Sequence, residues 1–294
     1  SVSGTGGIDV AMMPGYIRVA YRIYLPVVMK TLPPTPTPTR TSTATPTPTR
    51  TPTATPTPAC WTQILAAPDG QAGNRFGGRV AVSGSTLVIG AFQSTGWFDP
   101  DSPGAAYVFA RDHGGTGLWY YVTKLTSPNA HAGDGFGSSV AIDGDLIVVG
   151  ADGQTVYTTT QGAAYLFARN EGGTDNWGHV KRLVANDGMD HSWFGSSVSV
   201  SGSTVVVGAW FANNGSGALT GAAYVFARDA GGVGNWWQVK KILAPDGASH
   251  ERFGATAVTD GFFAVIGAPG AHWGASTEGA AYIFRDPLAG GTYA

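Results

Sequence analysis

His131, His191 and His250 are the side chains best placed to do chemistry. Each sits in a short polar loop just before a Phe-Gly pair and has a carboxylate close by in Asp134, Asp190 or Glu251. Imidazoles and carboxylates brought together could hold a transition metal. These three occupy equivalent places in a repeated unit, however, so symmetry spreads them apart, and a solvated polar face is the expected reading. The chain contains no paired carboxylates, HExxH, CxxC or nucleophile elbow. Cys60 is the single cysteine, so no intrachain disulfide is expected, and a thiol there could at most cross-link two chains. The expectation is therefore no catalytic residue, no cofactor-binding residue and no metal ligand set.

Five aromatic residues carry a different kind of chemistry. Trp97, Phe98, Trp210, Phe211 and Trp273 all fall in segments of variable length between apolar runs. Aromatics on loops of a rigid scaffold are candidate anchors for a glycan or protein partner. The competing reading is that they tuck onto neighbouring parts of the body. Tyr107, Phe109, Tyr165 and Phe167 recur in every unit and are expected in the core.

The elements that must position these residues are written four times. Phe-Gly pairs stand at Phe76, Phe136, Phe194 and Phe253, and GAAY begins at Gly104, Gly162, Gly221 and Gly279, so the period is 58 to 60 residues. A fixed period of this kind marks a repeat architecture. Within a unit, SSVAI closes on a turn at Asp143-Gly144, with Ser83-Gly84 and Ser201-Gly202 in the same place, as suits a hairpin. LIVVGA then reads as a strand covered on both faces. After the variable loop come GAAYLFAR, a Gly-Gly loop and WGHVKRLVA, giving four antiparallel strands per unit, as in one β-propeller blade.

The opening segment WTQILAAPDG matches the fourth-strand segment WWQVKKILAPDG, while the chain ends just after a third strand. If that opening segment pairs with the last three strands, four blades close with no free edge. The same phase would let it complete a neighbouring chain.

The Phe-Gly at each unit start, Gly267-Ala268-Pro269, and GAF, GAD and GAW at the equivalent places resemble the FG-GAP repeat best known from integrin α propellers. VAVSG, LVIGA and GAAYVF bring it close to the family's bacterial branch. The resemblance covers Trp61 to Phe284 and implies an all-β propeller of four four-stranded blades in a secreted or surface protein that acts by binding. Integrin propellers usually have seven blades. Calcium-binding members carry an acidic DxDxDG-type loop after the second strand; here only Asp99-Pro100-Asp101 approaches it. The other loops lack the oxygen ligands a hard cation needs, and calcium is not expected.

Ahead of this body, residues 1–30 form an N-terminal strand segment. Tyr16, Ile17, Val19, Tyr21, Ile23, Tyr24, Leu25, Val27 and Val28 make a strand-prone run up to Met29, which must pair with something. Residues 31–59 form a Thr/Pro linker with Thr at every odd position from Thr35 to Thr57. That composition favours a stiff polyproline II spacer and is also that of O-glycosylated stalks, with Thr35, Thr37, Thr45, Thr47, Thr55 and Thr57 as candidate acceptors. Residues 60–294 form the propeller.

Net charge is −2, which gives no argument for nucleic acid, and no apolar run is long enough to span a membrane. No signal peptide is recognisable, so the chain starting at Ser1 reads as a processed product. The main reading is a non-enzymatic propeller, extracellular or at the cell surface, displayed on its stalk to recognise a protein or glycan. An enzyme would need polar groups converging in the central channel, which the sequence does not show. The alternative is a structural subunit of a filament or surface layer, in which the strand Tyr16 to Met29 pairs with another copy's propeller.

Overall fold

The computed structural model describes residues 9–13, 16–20, 62–92, 103–112, 117–156, 158–214, 217–273 and 276–285. The chain divides into two compact units, Ser1–Ala59 and Cys60–Ala294. In the first, β1 (Asp9–Met13) and β2 (Tyr16–Ala20) pair antiparallel, with Asp9 opposite Ala20 and Met13 opposite Tyr16. The candidate assembly strand is thus paired, over its first five residues, within its own segment. Tyr21 to Val28 and the linker threonines lie outside the described residues.

The second unit is all β. Blade 1 holds β3 (Arg79–Ser83), β4 (Thr86–Ala91), β5 (Ala105–Arg111) and β6 (Trp119–Leu125). Blade 2 holds β7 (Phe136–Asp143), β8 (Leu146–Ala151), β9 (Ala163–Arg169) and β10 (Trp177–Leu183). Blade 3 holds β11 (Phe194–Ser201), β12 (Thr204–Ala209), β13 (Ala222–Arg228) and β14 (Trp236–Ile242). Blade 4 is built on β15 (Thr256–Thr259) and β16 (Phe263–Ala268). A small ribbon follows, β17 (His272–Trp273) with β18 (Ser276–Thr277), and then β19 (Ala280–Arg285). Each blade is an antiparallel meander in strand order, the arrangement that hairpin turns allow between sequential strands.

Blades meet through a repeated set of side chains. On the face turned to the next blade, blade 1 offers Val88, Ala106, Val108 and Leu125, blade 2 Val148, Ala164, Leu166 and Leu183, and blade 3 Val206, Ala223, Val225 and Ile242. The receiving blade answers with its Phe-Gly phenylalanine, its GAAY tyrosine and the phenylalanine two residues on. Phe136, Phe194 and Phe253 are fully buried, and each packs tilted or edge-on against that pair, as in Phe194 with Tyr224 and Phe226 at 5.4 and 5.9 Å. Edge-to-face pairing adds to the burial of these rings.

The close approach of blades explains the glycine of GAAY. The phenylalanine's backbone N–H donates to the residue before GAAY of the preceding blade: Pro103 for Phe136, Gln161 for Phe194 and Thr220 for Phe253. A Cβ on Gly104, Gly162 or Gly221 would collide with the carbonyl of that same phenylalanine, and these glycines have φ of 84°, 88° and 85°. Only glycine meets both demands without strain.

Blade 4 differs from the others. Among the described residues its sheet has three strands, in the order β15-β16-β19, and no strand pairs with the outer edge of β19. Residues 62–67, which would have been its fourth strand had the ring closed within the chain, are not in a strand. They lie on blade 1, where Leu65 and Ala67 pack on Ile89, Tyr107 and Phe109, and Gln63 exchanges two hydrogen bonds with the Trp119 backbone at 2.7 and 2.8 Å. The segment therefore occupies the place of a preceding blade's fourth strand without joining a sheet.

Candidate functional site

The residue before each Phe-Gly phenylalanine adopts a left-handed conformation: Arg75 at φ 44°, Gly135 at 68°, Trp193 at 57° and Arg252 at 58°. Each closes a tight turn by accepting a hydrogen bond from the third residue on, as in Ser196 N–H to the Trp193 carbonyl at 3.1 Å. Holding a bulky residue there costs about 1–3 kcal/mol, and strain of this kind concentrates at functional sites. The strained positions turn two arginines and a tryptophan toward the ends of the second strands, where Phe92, Asp152, Trp210 and Pro269 stand in equivalent places.

Phe92, Asp152, Trp210 and Pro269, with Arg252, line a cavity of about 280 Å³ fed by all four blades. Arg79 and Phe92 come from blade 1, Ser138 and Asp152 from blade 2, Ser196 and Trp210 from blade 3, and Arg252, Ala255 and Pro269 from blade 4. The Arg79 and Arg75 guanidiniums lie 5.2 and 5.7 Å from the Phe92 ring centre, and that of Arg252 lies 5.3 Å from Trp210. Trp210 stacks on Trp193 at 6.0 Å and 27°, meets Phe211 edge-on at 5.1 Å, and Phe211 in turn meets His250 at 6.2 Å. Trp193, Trp210 and Phe211 remain half-buried. Burial pushes the Asp152 carboxyl up to about 6, opposed mainly by the neighbouring Ser138 hydroxyl and, to a smaller extent, by the Arg79 charge. Polar groups from all four blades thus line one cavity. The arrangement offers flat aromatic faces, cationic edges and one carboxyl that titrates near physiological pH, a surface suited to stacking and charge-assisted hydrogen bonds.

Of the aromatics singled out from sequence, Trp210 and Phe211 are in this cluster. Trp97 and Phe98 lie outside the described residues, and Trp273 is placed only as backbone in β17. Trp193, Arg79 and Arg252 were not foreseen. The signal was present, since three of four units carry a bulky residue where the second has Gly135.

Each of the three histidines makes its own local contacts. His131 donates its backbone N–H to Asp134 at 2.7 Å, His191 lies 3.2 Å from Asp190 with both side chains exposed, and His250 contacts Ser249 at 2.9 Å. Asp134 and Glu251 are nearly sealed from solvent, and burial holds the Asp134 carboxyl above its usual range. Among the described residues no group of three or more His, Cys, Asp or Glu is arranged to hold a metal. A second cavity, about 500 Å³ between blades 2 and 3, is lined by Asp143, Asp145, Arg169 and Arg228. Its charges are partly spent internally, Arg169 on Asp145 at 2.6 Å and Asp143 on the Gly202 N–H at 2.7 Å.

The four antiparallel sheets and the repeated blade interfaces define a propeller of FG-GAP type. The chain belongs to the FG-GAP repeat family, whose model matches residues 61–109, 119–167, 177–226 and 236–284. Each match opens on a fourth-strand segment and closes at the end of a third strand, the phase read from the sequence. Repeats of this family typically serve as structural or recognition elements and not as catalysts. No curated protein matches the chain. Among solved structures, Sqt1 from Chaetomium thermophilum is 14% identical with a TM-score of 0.40; the similarity covers 67% of this chain and 43% of that one, less than half its length. Among the described residues no helix is long and apolar enough to cross a membrane.

Proposed function

We propose that the protein is an extracellular recognition module. Its propeller binds a glycan or an extended protein segment at the four-blade cavity, and the Thr/Pro segment 31–59 holds it away from its point of attachment as a stiff spacer. The observation that carries this reading is Trp210, half-buried in a cavity lined from every blade, with the Arg252 guanidinium 5.3 Å from its ring and Trp193 stacked on it. Phe136, Phe194 and Phe253 of the repeat are fully enclosed, whereas Trp193 and Trp210 stay partly open to solvent. The calcium-type acidic ladder has no part in the reading.

The test is a panel of neutral and acidic oligosaccharides and extended peptides, probed with the whole chain and with Trp210→Ala. Binding by the wild type that is lost in the variant supports the proposal. Absence of binding across both panels, or binding indifferent to Trp210, contradicts it.

The structural-subunit reading has less behind it, because Tyr16–Ala20 already pairs with Asp9–Met13. Deleting residues 1–30 decides it: loss of assembly with a folded propeller would revive it.

A further inference from the structure

We infer that the two ends of the propeller body dock onto each other between copies, so that blade 4 of one chain is completed by the opening segment and blade 1 of a second. The argument rests on the three interfaces the chain builds within itself. On blade 4, the positions equivalent to Val206, Ala223 and Val225 of blade 3 are Val265, Ala281 and Ile283. The blade 3 residues are fully buried against blade 4, while Val265 is 38% and Ile283 70% exposed and Ala281 is also exposed. Val258 on the same face is 62% exposed.

Blade 1 has the opposite half exposed. Val80 and Val82 are 64% and 61% exposed, although their equivalents in blade 3, Val198 and Val200, are covered by blade 2. The chain thus presents, at its two ends, the two halves of an interface whose fit it demonstrates three times over. Apolar patches of this kind are uncommon on surfaces that stay free.

The missing strand points to the same partner. In blades 1, 2 and 3 the fourth strand sits in one register on the third: Ala106 opposite Leu125, Ala164 opposite Leu183, and Ala223 opposite Ile242. The repeat makes Leu65 the equivalent of those residues, and Leu65 is already seated on blade 1 with Ile64 beside it 90% exposed. Carrying the register over places Leu65 of one copy opposite Ala281 of the next, Ile64 opposite Tyr282, and Gln63 opposite Ile283. Closure within one chain would bury Val80, Val82 and Ile283, and all three are exposed here. The contact is head-to-tail, so two copies can close on each other or a string can grow.

Light scattering on the whole chain is the first test, together with Val80→Asp and Ile283→Asp, both at exposed sites that leave the internal interfaces intact. The wild type is expected to run as a dimer or larger and each variant as a monomer. An equal mixture of the two variants, each keeping one sound end, is expected to form dimers and nothing larger. A monomeric wild type, or a mixture that stays monomeric, overturns the proposal. Oxidation of a Gln63→Cys, Ile283→Cys chain in which Cys60 is replaced by serine gives a second reading. Covalent dimers and higher species support the contact between copies, and a cross-link confined within one chain, or none, overturns it.

Discussion

The Tyr107 hydroxyl donates a 2.6 Å hydrogen bond to Asp69, and the same contact recurs between Tyr282 and Asp246 at 2.8 Å. In each case the tyrosine belongs to GAAY and the aspartate to the Asp-Gly turn that ends the preceding fourth-strand segment. Asp187 bonds Tyr224 in the same way and also takes the Lys241 ammonium at 2.7 Å. Blade 2 keeps the tyrosine but has Asn129 where the aspartate would be, and Tyr165 turns to Gln154 at 2.8 Å instead. The Asp-Gly turn is thus a clasp between successive units as well as a bend. Burial and the adjoining aspartate raise the pKa of Tyr107, Tyr224 and Tyr282.

Asp187→Ala leaves the buried Tyr224 hydroxyl without its acceptor and should cost about 1–3 kcal/mol, whereas Tyr224→Phe should cost only about 0.5–1.5 kcal/mol. Denaturant melts of the two single variants and the double variant check this through their coupling energy. Additive losses would mean that the clasp contributes nothing.

Phe194→Ala and Phe76→Ala make the same chemical change at two places in the repeat. Phe194 is fully buried between blades 2 and 3, so its loss should cost about 3–5 kcal/mol. Phe76 is only partly covered, by the opening segment, and should cost markedly less. Equal losses, measured on monomeric Ile283→Asp protein, would show that blade 1 is as enclosed as blade 3.

Gly162→Ala should destabilise more than Gly279→Ala. Both positions have positive φ, but the Cβ at 162 meets the Phe194 carbonyl of the next blade, while that at 279 comes no nearer than 3.3 Å to Pro269. Thermal melts of the two variants give the comparison.

The pH dependence follows from Asp152. Its carboxyl titrates at about 6 in the folded chain against 3.8 for the free group, so between those values the native state binds a proton that the unfolded state does not. Stability contributed by this group therefore falls as pH rises from about 4 to about 6, by on the order of a few kcal/mol at most. Asp152→Asn should be more stable than wild type at pH 7 and lose that difference at pH 4. A constant difference across this range would show that Asp152 does not titrate there.

The blades were legible because period and residue type agree. Phe136, Tyr165 and Phe167 recur with LIVVGA at fixed offsets, and a short β-branched run bounded by turns suits a strand buried on both faces. Residues 62–67 carry the same pattern as Trp236–Ile242 but form no strand, because strand structure needs a hydrogen-bonded neighbour and β19 is not beside them. The β1 strand was missed since Asp9–Met13 is short and follows a glycine-rich lead. At Trp193 and Arg252 the sequence shows only a bulky residue before a core phenylalanine; spacing cannot reveal that a left-handed turn swings it out onto Trp210.

The most direct test of the recognition account is affinity for the strongest binder found in the panel, measured side by side for wild type, Trp210→Ala and Trp237→Ala. Trp237 is an equally large aromatic, half exposed on β14, outside the cavity. The account predicts a loss of tenfold or more, at least about 1.4 kcal/mol, for Trp210→Ala and little change for Trp237→Ala. Unchanged affinity in Trp210→Ala, or an equal loss in both variants, would contradict it.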